Sequence, residues 1–252
     1  MENIVISPIC NPEMELEEVL YHYTTLGYRK FEVFTGRVKS AFDINNNPAI
    51  YLESGKKYGM SYYSFHLPQL TDAGDSLDYS IQAAHFAAKL GVKVVLFKAK
   101  SRDLYIQTAK PFLDKTEHLG LTPVIQNHIG TPITTIGDYR EVLEGIRDPR
   151  MKTLLEVGHF HSVGVSWREG YEFLGDSIAL VHIQDRIGSQ IVPLGTGEID
   201  LPSLFQHMNR VGYSGQYVIE LVVKDQENTL RYLADAYQYL IRHSQISQQG
   251  IL

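Results

Sequence analysis

The chain repeats one pattern: an amphipathic segment, a glycine, and then a short apolar run. Glycine is favoured just after a helix because it enters the left-handed conformation at low cost. Successive glycines of this pattern lie about thirty residues apart, the size of one strand plus one helix. The glycines predicted to end helices are Gly27, Gly59, Gly91, Gly120, Gly145, Gly175 and Gly212.

Eight apolar runs alternate with these segments. Continuous apolar runs, without strict alternation, are typical of parallel strands that are covered on both faces. The runs are NIVISPI, KFEVFTG, MSYYSFHLP, KVVLFKAK, TPVIQNHIG, KTLLEVGHF, IALVHIQDR and QYVIELVV, and a last helical segment, ENTLRYLADAYQYLIRH, follows them. Eight strand and helix units without a linker predict a single (β/α)8 TIM barrel, of class α/β, over residues 1–252. A doubly wound open sheet is the alternative, but the first strand is followed by SPICNPE and not by a GxGxxG phosphate loop.

Composition and charge narrow the class of protein. A hydrophobic content of 44% with 21% charged residues excludes a disordered chain. The net charge of -6 disfavours binding to a nucleic-acid backbone. The one cysteine, Cys10, cannot form an internal disulfide, and the chain shows neither a signal peptide nor an apolar run long enough to cross a membrane. We therefore expect a cytoplasmic protein that binds neither nucleic acid nor a membrane.

Polar residues interrupt the apolar runs near their C-terminal ends, where TIM barrels carry their chemistry. These residues are Glu32, His66, Lys98, Gln126, Asn127, His128, Glu156, His159, His161, His182, Asp185 and Glu220. A carboxylate within an apolar strand is costly unless it is paired or bound to a cation. Glu156, His182 and Glu220 carry this argument best, because aliphatic residues surround each of them. Two carboxylates and an imidazole suit Mn²⁺, Mg²⁺, Co²⁺ or Zn²⁺.

Three other strand-end residues have simpler interpretations. Glu32 could pair with Lys30 or Arg29 at the rim of the barrel. His66 could be a hydrogen-bonded residue at the end of a strand. Lys98 could belong to a solvated basic loop, although a lysine at a strand end can also hold an anionic substrate.

Three stretches resemble a known family: VIQNHIG, LLEVGHFHSVG, and the segment from LVHIQDRIGSQ to GYSGQYVIEL. They are similar to the xylose isomerase-like TIM-barrel superfamily, and within it to the sugar phosphate isomerase/epimerase group. The most specific piece is the turn GTGEID followed by a helix and GYSGQYVIE. KFEVF and FHLP resemble the second and third strands of that group more weakly.

The resemblance implies a divalent metal and a small sugar or sugar-like substrate. The implied metal ligands are Gln126, Glu156, His182 and Glu220. The residues expected to take part in catalysis are Glu220, His159 and Glu156. Those expected to bind substrate are His66, Lys98, His128, Glu32 and Arg186.

Two departures from the family pattern bear on the chemistry. The family usually has a glutamate at the position of Gln126 and an aspartate at the position of Glu156. A glutamine can offer its carbonyl oxygen to a metal, but it cannot act as a general base. Epimerases of this group resemble enzymes that use two glutamate bases, one on each face of the substrate carbon. Because Gln126 replaces one of these bases, an epimerisation by two glutamates is disfavoured. A one-base isomerisation through an enediolate remains open, with Glu220 as the base and His159, His66 or Lys98 making the second proton transfer.

Other functions are compatible with the same residues. A lyase or dehydratase acting on a keto sugar or an inosose could use the same site. A catalytically weakened barrel that binds a sugar or a partner protein would explain Gln126. Apurinic-site endonucleases resemble the chain in fold, but its acidic charge and Gln126 weaken that reading. The 16 tyrosines and 10 phenylalanines could line a sugar site or the interface of a homo-oligomer.

Overall fold

A computed structural model describes residues 3–245, and side chains as far as residue 243. Its strands are β1 (Ile4–Ile6), β2 (Lys30–Val33), β3 (Ser61–His66), β4 (Val94–Leu96), β5 (Thr122–Gln126), β6 (Lys152–Glu156), β7 (Ile178–Ile183), β8 (Asp185–Ile187), β9 (Gln190–Val192) and β10 (Gln216–Ile219). Strands β1 to β7 and β10 are parallel neighbours in a closed barrel, and β1 pairs with both β2 and β10. The predicted TIM barrel is confirmed. That it extends over all of residues 1–252 stays a prediction.

Helices surround the barrel in the expected alternation. They are α1 (Leu16–Thr25), α2 (Pro48–Tyr58), α3 (Asp75–Lys89), α4 (Arg102–Thr116), α5 (Ile136–Ile146), α6 (Val157–His161), α7 (Trp167–Leu174), α8 (Leu201–Arg210) and α9 (Thr229–Gln245). Within residues 3–245, no helix is both long enough and apolar enough to cross a membrane.

The glycine rule fails at one helix. Gly145 does not end α5, which continues to Ile146, and Arg147 takes the left-handed conformation with φ 51°. A Cβ at Gly145 would lie 2.5 Å from Cδ1 of Ile106 on α4. Gly145 therefore allows two helices to approach closely, a requirement that the local sequence does not reveal.

Apolar side chains fill the barrel interior below the predicted site. These are Val5, Val94, Leu96, Val124, Leu154, Leu180 and Val218, all buried. Residues two positions apart on a strand point to the same face. Glu156, His182 and Glu220 follow Leu154, Leu180 and Val218 by two positions, and so they form the next layer towards the C-terminal ends of the strands.

Candidate metal and substrate site

Three of the predicted residues meet at the C-terminal end of the barrel. His182 on β7 lies with its Nδ1 3.1 Å from Oε2 of Glu156 on β6. The same nitrogen lies 3.4 Å from Oε1 of Glu220, which directly follows β10. Glu156 and His182 are completely buried, and Glu220 is nearly so. The structure thus brings two carboxylates and one imidazole together in the barrel interior.

Glu32 joins this cluster from β2. Its Oε1 lies 3.2 Å from Nε2 of His182, and its Oε2 lies 3.2 Å from Nε2 of His66. Ser64 donates a hydrogen bond of 2.9 Å to Oε1 of Glu32. The suggested pairing of Glu32 at the barrel rim is therefore wrong, because this side chain is buried inside the barrel.

The two basic residues suggested as its partners bind elsewhere. Nζ of Lys30 donates to Oε1 of Gln216, and Nη1 of Arg29 donates to backbone oxygens of Thr24 and Tyr28.

The cluster shifts the ionisation of its members. Burial alone would lower the pKa of His182, but the carboxylates of Glu32 and Glu220 outweigh it and hold that pKa well above its ordinary value. Burial raises the pKa of Glu156 to about 7, opposed by His182 and reinforced by the charge of Glu220. For Glu220, burial is outweighed by His182, and the pKa is lowered. Without a metal, a proton on His182 neutralises part of the buried negative charge.

The donor set fits a divalent cation. Among the described residues, neither carboxylate oxygen of Glu156 and neither ring nitrogen of His182 has a hydrogen-bond partner, although the two side chains lie close together. Buried polar atoms without hydrogen bonds are costly unless something else binds them. In the described part of the chain, ligand atoms within 4.8 Å of one another form two overlapping groups: Glu32, His66, His182 and Glu220, and Glu156, His159 and Glu220.

A cavity of about 380 Å³ lies against this cluster. Of the residues predicted for the site, its wall contains His66, Lys98, Gln126, His128, His159, Arg186 and Glu220. Glu32 is not among the residues of this wall but lies against His182 and His66, and its predicted contact with substrate stays a prediction. A second cavity of about 730 Å³ shares Phe34, Arg37, His66, Gln69 and Lys98 with the first. We call them the inner and the outer cavity.

Burial keeps the three histidines of the described inner wall neutral. Burial lowers the pKa of His66 to about 4 even though Glu32 opposes it. Burial and then the neighbouring His128 lower the pKa of His159 to about 3. Burial also lowers the pKa of His128. At neutral pH these rings are therefore uncharged, and they can accept hydrogen bonds without adding charge to the cavity.

Amide side chains position the cluster, and the sequence analysis assigned them no role. Asn127 donates to the backbone oxygen of Glu156 and accepts from its backbone nitrogen, both at 2.9 Å. Gln184 donates to Oε2 of Glu220 at 3.1 Å and accepts from Arg186 through Nε and Nη2. A Cβ at Gly158 would lie 2.6 Å from Oε1 of Gln184, so a glycine is required there. Polar residues inside the apolar runs at 127 and 184 were the available signal.

A hairpin that the sequence analysis did not predict follows β7. Strands β8 and β9 pair antiparallel. Asp185 at the start of β8 accepts hydrogen bonds from the backbone nitrogens of Gly195 and Gly197. A Cβ at Gly197 would overlap this carboxylate. Asp185 therefore fastens the GTGEID turn to the end of β7, and Arg186 next to it lies on the inner cavity wall.

The sequence matches the family model described as "Xylose isomerase-like TIM barrel" over residues 22–243. The chain belongs to this family. The resemblance noted from the strand-end motifs is thereby confirmed. A search of curated proteins found no match.

Solved structures share the fold at low sequence identity. The IolI protein with a bound zinc atom superposes with a TM-score of 0.79 and 14% identity, over 96% of this chain and 98% of that one. D-allulose 3-epimerase from Methylomonas sp. gives 0.76 and 14%, over 96% and 97%. An AP endonuclease of family 2 from Brucella melitensis gives 0.75 and 16%, over 95% and 99%. These similarities establish the fold of the xylose isomerase-like barrels, which sugar epimerases and endonucleases share.

Proposed function

We propose that this chain is a divalent-metal-dependent enzyme that moves a proton next to the carbonyl group of a sugar or sugar-like compound, by isomerisation through an enediolate. The observation that carries the proposal is the buried cluster of Glu156, His182 and Glu220 beside a cavity of substrate size. Among the described residues, nothing forms a hydrogen bond with the carboxylate oxygens of Glu156 or the ring nitrogens of His182. The zinc named for IolI and the activity named for the Methylomonas epimerase support the same reading.

The proposed metal ligands are Gln126, Glu156, His182 and Glu220. A divalent ion bound there would polarise the substrate carbonyl and stabilise the charge that develops on its oxygen. Glu32 would hold Nε2 of His182, which leaves Nδ1, the atom nearest Glu156 and Glu220, for the ion. This donor set suits Mn²⁺, Mg²⁺, Co²⁺ and Zn²⁺.

Glu220 is the proposed base. Its lowered pKa keeps it ionised at neutral pH, and it is the carboxylate that reaches the inner cavity wall. Gln126 has no proton to exchange, so a transfer on one face of the substrate is favoured over inversion by two opposed bases. The transfer between the two substrate oxygens falls to one of the other groups on the wall, which are His66, His159 and Lys98.

The test is turnover of a panel of aldoses, ketoses and keto sugars in D₂O, with each of the four metals added to the purified protein. Isomerisation that requires the metal and labels the carbon next to the carbonyl is the expected result. Loss of water without interconversion of aldose and ketose would identify a lyase instead. Sugar binding without turnover on the whole panel would refute the enzyme and indicate a binding barrel. Cleavage of abasic DNA would place the chain with the endonucleases.

A further inference from the structure

The wall of the inner cavity is positively charged although the protein is acidic. The chain has a net charge of -6. The inner wall nevertheless carries Arg37, Lys98 and Arg186, and Glu220 is the only carboxylate among the described residues that line it. The neutral histidines do not offset this charge, and a bound metal would increase it. A cavity of this sign attracts and concentrates anionic ligands.

None of the described carboxylates is a partner of these three cations. Within residues 3–243, no aspartate or glutamate lies within 4.0 Å of their nitrogens, whereas many surface lysines and arginines are paired. Arg186 is held by Gln184 and by the backbone oxygen of Ser189. Nζ of Lys98 lies 3.4 Å from Nδ1 of His66. Arg37 and Lys98 line the same two cavities. Burial lowers the pKa of Lys98 to about 8, and the charge of Arg37 lowers it as well.

Arg37 has an unusual backbone. It lies in the left-handed region with φ 71°, where a residue with a side chain is uncommon and strained. The other described arginine of this kind, Arg147, ends α5 and donates from Nε to the backbone oxygen of Glu144. No such helix end accounts for Arg37, which lies in the loop after β2 and faces both cavities. Strained residues of this kind cluster at ligand sites.

We propose that Arg37 and Lys98 form a subsite for an anionic group of the substrate, so that the enzyme takes a carbonyl compound bearing a carboxylate or a phosphate in preference to a neutral sugar. The inference rests on the proposed function, because it places the carbonyl end of the substrate at Glu220.

The position of the pair fits this role. Both residues line the inner and the outer cavity, so the anion would lie where the two cavities meet. The outer cavity also contains the carboxylate of Asp43, but its Oδ1 accepts two hydrogen bonds from Asn45 in a local turn. The arginine fork matches the geometry of carboxylate and phosphate oxygens, and the lysine adds a point charge. Because Lys98 binds the anionic group in this proposal, the proton transfer between the two substrate oxygens falls to His66 or His159.

Calorimetric binding to the Mn²⁺-loaded protein tests the subsite with three probes: fructose, fructose 6-phosphate and fructuronate. We expect at least one charged probe to bind about tenfold to hundredfold more tightly than fructose. Arg37→Asn keeps a residue that tolerates the left-handed backbone, and Lys98→Met keeps the length of the side chain. Each should lose most of the preference for the charged probe. The matched controls, Arg147→Asn for a strained arginine and Lys100→Met for an exposed lysine on the same segment, should retain it.

The three probes separate the sources of the anion. If only fructose 6-phosphate binds more tightly than fructose, the anionic group is a phosphate. If only fructuronate does, the anionic group is a carboxylate. Affinity no higher for either charged probe than for fructose, including no binding at all, overturns the subsite, as does a preference that survives in both Arg37→Asn and Lys98→Met. Tight binding of a charged probe without turnover supports the subsite while the proposed function fails. Isomerisation of fructose, without tighter binding of either charged probe, would support the proposed function and overturn the subsite.

Discussion

Two adjacent layers of the barrel interior differ completely in chemistry. On β6, β7 and β10 one step of two residues leads from an apolar side chain to a titratable one, as in the pairs Leu154 and Glu156, Leu180 and His182, and Val218 and Glu220. Both layers are buried, and the same strands position both. The apolar layer contributes free energy of folding through burial and close packing. The titratable layer gives up part of that gain, because charges are removed from water.

The comparison indicates that the apolar layer contributes mainly to stability and the titratable layer mainly to function. Substitutions in the apolar layer should change the free energy of unfolding and leave ligand binding alone. Substitutions in the titratable layer should change ligand binding and leave the free energy of unfolding almost unchanged. Each prediction below tests this separation.

The largest effect is expected for Glu220→Gln. The substitution keeps size and most polar contacts but removes the base, so turnover should fall by about 10²- to 10⁴-fold. Initial rates on whichever substrate the panel identifies measure this effect. The melting temperature should remain near that of the parent. Turnover within a factor of two of the parent would exclude Glu220 as the base.

Leu154→Ala tests the apolar layer one step below Glu156. Removal of a completely buried leucine should lower the free energy of unfolding by about 2–5 kcal/mol. Chemical denaturation measures this loss, and Mn²⁺ affinity of the folded protein should be almost unchanged. Glu156→Gln is the matched variant from the next layer, with weakened metal binding and little loss of metal-free stability. If Leu154→Ala weakened the metal as much as Glu156→Gln does, the two layers would not be separable.

Glu32→Gln tests the support of a metal ligand. Because the carboxylate of Glu32 lies 3.2 Å from Nε2 of His182, loss of its charge should weaken metal binding by about 10- to 100-fold. Competition with a chromogenic chelator measures the affinity. Glu53→Gln, on the exposed side of α2, is a control that should leave it unchanged. Parent-like affinity in Glu32→Gln would show that His182 needs no such support.

The smallest expected effect is that of pH on metal binding. The change in metal affinity per pH unit should be smaller than the effects of the substitutions above. The raised pKa of His182 keeps it protonated around neutral pH, so a metal must displace that proton. Glu156, with a pKa of about 7, is ionised above that pH and takes up a further proton below it. Affinity should therefore rise with pH, by about tenfold per pH unit for each proton released, and more steeply below pH 7 than above it. Affinity independent of pH between 6 and 8 would contradict these ionisation states.

The barrel could be predicted from sequence because its signal is repeated and local. Each of the eight apolar runs contains a barrel strand, and six of the seven glycines have positive φ at or near a helix end. The failure at Gly145 has a tertiary cause, the contact with Ile106. The β8–β9 hairpin was missed because its two strands have only three residues each, too few to show a periodic pattern.

The site was less predictable, since its relationships are long-range. The position of Glu156, His182 and Glu220 in apolar runs pointed to a shared site, and the structure brings the three together. Nothing local indicates that Glu32 contacts His182 rather than Lys30. Arg37 lies in a loop outside any periodic pattern, so only the three-dimensional structure relates it to Lys98. The roles assigned to these residues stay predictions.

The central claim, a metal held by the titratable layer, is tested most directly by titrating Mn²⁺ and Zn²⁺ into metal-stripped protein and counting bound ions by mass spectrometry of the metals. We expect one ion per chain in the parent and in Leu154→Ala, and none in His182→Ala. Absence of binding in the parent, or a full ion in His182→Ala, would contradict the claim.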